Sequence, residues 1–179
     1  MPTESITAHV RINSALFRRF ALFDTFRLKR RWISPAVFSL ILLVFSFICM
    51  GSGKEQAELI GVLLQLIGLG LPICYVLHFL VQVHDQCRRL GLKSLRPAYT
   101  LNFSESELRV INDMQHEPEV RLPYSSLHGV WRVGGAYYIY AAPSRAFILP
   151  DGQYSQSPSQ MWTFLMERLP SGTMHGRRP

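Results

Sequence analysis

The residues of this chain with chemistry to offer do not assemble into a catalytic pattern. Its six histidines are scattered along 179 residues. The tightest grouping of donors, His116 with Glu117 and Glu119, has cation-binding residue types but reads as a solvated turn rather than a metal site. Asp113 and Asp151 stand in turn sequences, where an aspartate serves the backbone. No G-x-S-x-G elbow, Walker loop or H-E-x-x-H motif is present. Cys49, Cys74 and Cys87 lack metal-ligand spacing, and the first two lie in apolar runs as packing residues. Cys87, followed by Arg88 and Arg89, has the setting of an acylated cysteine at a membrane edge. The expectation is a protein that is not an enzyme and has no catalytic residues, metal or cofactor.

Two uncharged apolar stretches, residues 32–53 and 59–83, dominate the chain, with only the polar break 54–58 between them. A hydrocarbon core roughly 30 Å thick needs about 20 helical residues, and both stretches reach that length. In the first, Leu, Ile, Val and Phe run around the whole circumference of a helix, as lipid exposure requires. A cleaved signal peptide fits less well, because the basic leader is long and no small-x-small site follows Cys49. The pattern predicts a transmembrane hairpin. Ser39 and Ser46 stand a heptad apart in its first helix, and Gly61, Gln65 and Gly68 fall along one side of the second. Small residues let helices approach closely in lipid, so these faces are expected to meet. Gln65 and His78 have a second reading, as part of a proton or ion path, which two spans can enclose only in a homo-oligomer.

Arg11, Arg18, Arg19, Arg27, Lys29, Arg30 and Arg31 precede the first stretch, and Arg88, Arg89, Lys93 and Arg96 follow the second. The break offers Lys54 against Glu55 and Glu58. Basic flanks stay cytoplasmic, so both termini are expected on that side. The same residues account for much of the net charge of +7 and pI of 9.7. Because they bracket the hairpin, anionic lipid headgroups are their expected partner, not nucleic acid.

Elsewhere the pattern is mixed. Ile6, Ala8, Val10 and Ile12 alternate with polar residues, predicting a strand over 5–12. A basic amphipathic helix over 13–30 follows, lying either in the membrane interface or against the soluble part of the chain. Together these form a leader, 1–31. The hairpin occupies 32–84 and a basic juxtamembrane helix or linker 85–97. Strand candidates then come in quick succession over 99–103, 108–112, 119–123, 128–133, 136–141 and 145–149, separated by turn sequences. Gly134-Gly135 predicts a type I′ hairpin that sets Trp131 opposite Tyr138 and Val130 opposite Ile139. Ser157-Pro158-Ser159-Gln160 announces a final helix through a capping box with Pro at its first position. The polar tail, 171–179, is expected to be disordered. Both faces of the Gly134-Gly135 hairpin are apolar, so one of them, Trp131 with Tyr138 and Tyr140, is the candidate interaction surface.

Six short strands and one amphipathic helix resemble a pleckstrin-homology-type barrel. The runs Leu122-Pro123-Tyr124-Ser125-Ser126-Leu127, Tyr137-Tyr138-Ile139-Tyr140 and Arg145-Ala146-Phe147-Ile148-Leu149-Pro150, with Trp131, are similar to the YcxB-like family of bacterial membrane proteins. The resemblance implies two spans before a PH-like domain, here 98–170, and a bacterial cell membrane; it implies no activity and no functional residues. Such barrels normally have seven strands, which leaves the strand over 6–12 to fill an open edge. The expected fold is therefore an α+β membrane protein, a transmembrane hairpin plus a small antiparallel PH-like sheet or barrel capped by a helix. The expected function is tethering of a cytoplasmic interaction module for a protein partner. Phosphoinositide binding is disfavoured by Glu105 and Glu107 in the loop after the first of the six strands. The alternative is an oligomeric transport or envelope-stress component.

Overall fold

The computed structural model describes residues 5–112 and 119–179. Asp113, His116 and Glu117 lie outside the described residues. The chain forms two units: the leader up to Asn13 with Ser94–Pro179, and Ser14–Lys93.

The first unit holds two four-stranded sheets. In one, β1 (Ile6–Ile12), β2 (Arg96–Phe103), β3 (Glu107–Ile111) and β4 (Val120–Pro123) pair in that order, all antiparallel. The alternation in β1 buries Ile6, Ala8, Val10 and Ile12, and its register sets Ile6 against Phe103 and Ala8 against Leu101. Strands on either side of the helical unit in the sequence thus share one core. A bulge between Val10 and Arg11 accommodates Pro97, which has no amide to give the ladder.

In the other sheet, β5 (Gly129–Val133), β6 (Ala136–Ala142), β7 (Arg145–Pro150) and β8 (Met174–His175) have the order β7-β6-β5-β8. Gly134 and Gly135 take φ of +60° and +80°, and the pairs Trp131 with Tyr138 and Val130 with Ile139 are in the register a type I′ turn dictates. Helix α4 (Pro158–Arg168) opens with the full capping box of Ser157 and Gln160 and buries Met161, Phe164 and Leu165.

The two sheets are stitched along one side. Gln153 acts as a surrogate strand for β1: its carbonyl accepts from the Arg11 amide at 2.7 Å and its amide donates to the Arg11 carbonyl at 3.0 Å. Ala8 bridges to Tyr154 beside it. The Tyr99 hydroxyl, from β2, donates to the Ile148 carbonyl at 2.9 Å and accepts from its amide, on the outer strand of the second sheet.

The tail departs from the expected disorder. After Pro170 the chain reverses through Gly172 (φ +87°), and the Thr173 carbonyl accepts from the Val130 amide at 2.8 Å. Met174 and His175 then run parallel to β5. Without them, the outer edge of β5 would leave backbone groups unpaired. The folded unit therefore extends beyond the 98–170 expected of it at both ends.

The second unit is a long helix pair. Helix α1 (Ser14–Leu22) passes into a π-helical segment (Phe23–Leu28), and after a break comes α2 (Ile33–Met50). Helix α3 (Glu55–Arg89) returns beside them, with the Ser14 amide donating to the Leu92 carbonyl at 2.9 Å at one end. At about 1.5 Å per residue α3 is about 52 Å long. It exceeds the apolar run 59–83 at both ends because charge favours its extension, Glu55 and Glu58 at the positive end of its dipole and Arg88 and Arg89 at the negative end.

Candidate functional site

Helix α2 is inside out. The only buried residues of α2 are Ser39 and Ser46, while Phe38, Leu40, Phe45, Phe47 and Ile48 are each more than half exposed. The Ser46 hydroxyl donates to the Gly61 carbonyl at 2.7 Å, and Ser39 donates likewise to Gly68. Any β-carbon on Gly61 would lie 2.7 Å from Met50 Cγ and 3.0 Å from the Ser46 carbonyl, and one on Gly68 would press on Leu43 at 3.2 Å. The structure thus brings four of the five sequence-chosen packing residues together. Gln65, half-buried between the two glycines, makes no hydrogen bond among the described residues. It lies about 20 Å along the helix from His78, so the two side chains do not touch.

The candidate aromatic surface is not a surface. Tyr138 and Tyr140 are 2% and 1% exposed and Trp131 is half-buried, and the opposite face with Val130, Tyr137 and Ile139 is fully buried. The returning tail is one reason: His175 stacks on Trp131 with ring centres 4.8 Å apart, and Tyr140 meets the same indole edge-on at 4.9 Å. Cys87 is also buried, at 6% exposure, on the face of α3 that carries Phe79 and Val83, which removes it as an acylation site.

Asp151 does more than serve a turn. One carboxylate oxygen accepts from Arg132 and the other from the Tyr154 hydroxyl, both at 2.8 Å. Burial raises the Tyr154 pKa, and the Asp151 hydrogen bond and charge raise it further. Both carboxylate oxygens are engaged, which makes this a structural clamp between β5 and the segment after β7. Pairwise spacing in the sequence gives no sign of it, because Arg132 and Asp151 meet only through the sheet.

A cleft of about 780 Å³ opens within the helical unit, between the π-helical segment and α3. It forms where three irregularities coincide. The π-helical turn widens the backbone, as π-bulges at functional sites do. Arg30 adopts φ +47°, and no other described non-glycine residue has a positive φ. Between them the chain is held by the Arg31 amide donating to the Thr25 carbonyl at 3.0 Å, and by the Trp32 indole donating to the Phe26 carbonyl at 3.1 Å. Phe26 in turn packs edge-on against Phe79 of α3, with ring centres 5.2 Å apart. Phe17, Phe20 and Phe79 form an apolar floor, and His78 with Gln82, 2.9 Å apart, a polar wall. Asp24 at the rim is paired with Lys29 at 2.7 Å. Arg31, Asp85 and Arg89 also line the cleft and make no ion pair among the described residues. Spacing alone pointed to His78 but not to this cleft, which depends on the π-helical turn. Among the described residues no group of three metal-ligating side chains occurs.

No family model, curated protein or solved structure matches this chain.

Proposed function

We propose that the protein is a two-span integral membrane protein whose hairpin holds a PH-like interaction module at the cytoplasmic face of a cell membrane. The observation that carries this reading is the inverted burial of α2. A helix that hides two serines and presents Leu, Ile and Phe outward would be insoluble in water, but is the expected arrangement where the solvent is hydrocarbon. The length of both helices agrees. Pairing of β1 with β2 supplies the topology. These strands precede and follow the hairpin, which supports placing its two ends on one side of the membrane. The basic flanks favour the cytoplasmic side.

The PH-like reading rests on a four-stranded meander, a second antiparallel meander of three strands, and a C-terminal helix, in that order. On this reading the hairpin is an insertion between the first two strands of the barrel, in keeping with the resemblance to YcxB-like proteins. Among the described residues no strand pairs with the outer edge of β4, which offers it to a protein partner, whereas β1 and β7 are joined through Gln153, Tyr154 and Tyr99. Arg121 and Pro123, both exposed, guard that edge against indiscriminate pairing.

Topology labelling tests the reading. After removal of the native cysteines, a cysteine at Gly53 should react with an impermeant thiol reagent in intact cells and one at Ser171 should stay protected. Labelling of both or neither refutes the hairpin, and the reverse pattern refutes the orientation.

A further inference from the structure

Resting on the two-span reading, we infer that the hairpin pairs with a second copy of itself through α3, the Gln65 carboxamides of the two copies hydrogen-bonding reciprocally across the contact. The pairing of Ser46 with Gly61 and of Ser39 with Gly68 sets Gln65 level with Leu42, at the midpoint of α2 (Ile33–Met50). Either end of α2 is then about 12–13 Å away, beyond the reach of a glutamine side chain. With α2 spanning the bilayer, Gln65 sits in the middle of the hydrocarbon, where a carboxamide without a partner is costly.

Its own hairpin does not supply that partner. The carbonyl one turn before it, of Gly61, is engaged twice, by the helix and by the Ser46 hydroxyl, and so has both lone pairs taken. Among the described residues, the buried side-chain polar atoms without a hydrogen bond belong to Asn102, Arg132 and Arg168. Gln65 is not among them although it makes no bond, so its half-buried side chain carries the carboxamide to the surface of the hairpin. It emerges in a stripe. Val62, Gln65, Leu69, Pro72 and Val76 recur at alternating intervals of three and four residues, which puts them on one flank of α3. Val62, Leu69 and Val76 are 47%, 53% and 43% exposed. Apolar residues alone do not drive helices together in lipid, whose tails are as apolar as they are. A single polar residue in such a seam does, and it fixes register and partner. A carboxamide is donor and acceptor at once, so a two-fold axis along the membrane normal sets each amide against the carbonyl of the other copy and satisfies both.

Cysteine crosslinking of the full-length protein in its own membranes, after removal of the native cysteines, maps the contact. A cysteine at Val62 or at Leu69 should link two copies of the chain on mild oxidation, and one at Ile67, exposed on the opposite flank of α3, should not. Fluorescence energy transfer between labelled copies in lipid vesicles measures the association. Gln65→Leu should weaken it about ten-fold, the worth of two interhelical hydrogen bonds. Gln65→Asn, which keeps a carboxamide, should retain most of it, and this separates loss of the polar group from damage to the fold. Equal linkage at Ile67 and Leu69, association unchanged by Gln65→Leu, or equal loss in the two Gln65 variants overturns the inference. A Leu69 cysteine linked only to a chain of different mass assigns the stripe to another membrane protein and overturns self-association. Alkaline carbonate extraction of cell membranes is read in parallel. Protein that washes off defeats the two-span reading and this inference with it, whereas protein that stays but is monomeric defeats the inference alone.

Discussion

The hydroxyl of Ser46 donates to the backbone carbonyl of Gly61 at 2.7 Å, and the approach leaves no room for a β-carbon on Gly61. A hydroxyl that bonds a carbonyl already engaged in its own helix satisfies a polar group without opening the helix. The same contact recurs seven residues away, between Ser39 and Gly68. Together these contacts fix the register of the hairpin.

Gly61→Val should therefore destabilise the hairpin far more than Ser46→Ala. The valine must displace Met50 and the Ser46 backbone, an overpacking cost of about 1–3 kcal/mol. The alanine forfeits one interhelical hydrogen bond, about 0.6 kcal/mol. Thermal unfolding in detergent ranks the two, and equal losses would show that the glycine contact is not the determinant.

Tyr99→Phe removes the hydroxyl that serves both backbone groups of Ile148. Ile148 is buried, so its amide and carbonyl are left without partners, at a cost of about 2 kcal/mol. A denaturant midpoint unchanged from the parent protein would mean that water replaces the hydroxyl.

Residues 94–179 expressed without the leader should aggregate, because β2 then presents a free edge. Placing residues 5–13 ahead of that segment through a flexible linker should give a soluble monomer, checked by light scattering. A monomeric, cooperative fold of 94–179 alone would show that β1 is dispensable.

Alkaline pH should unfold the sheet unit. Burial raises the pKa of Tyr99, Tyr137 and Tyr154, and pushes Tyr124 up to about 12 against the opposing charge of Arg168. In the unfolded chain these phenols ionise near 10. The unfolded state thus releases protons that the folded state holds, so the contribution is intact below pH 10 and is lost as pH rises towards about 12 and beyond. Tyrosinate absorbance should rise together with loss of circular dichroism, and Tyr124→Phe should flatten the transition. Ionisation of all seven tyrosines near pH 10 without unfolding would contradict this.

Local patterns carried much of the architecture because their physics is local. Alternation made Ile6–Ile12 a strand, two consecutive glycines set the Trp131–Tyr138 register, and Ser157 with Gln160 started α4. Ser39, Ser46, Gly61 and Gly68 were legible as a packing face because helical periodicity places a heptad on one side. Only the tertiary structure decided what depends on distant partners. The aromatic face of Trp131, Tyr138 and Tyr140 looked exposed because nothing in its own hairpin covers it; its burial comes in part from His175, which returns from 44 residues away. The cleft is of the same kind. A π-helical turn and a left-handed Arg30 leave no periodic signature, so the gap that brings Arg31 across from Asp85 and Arg89 exists only once α3 runs back beside the leader helix.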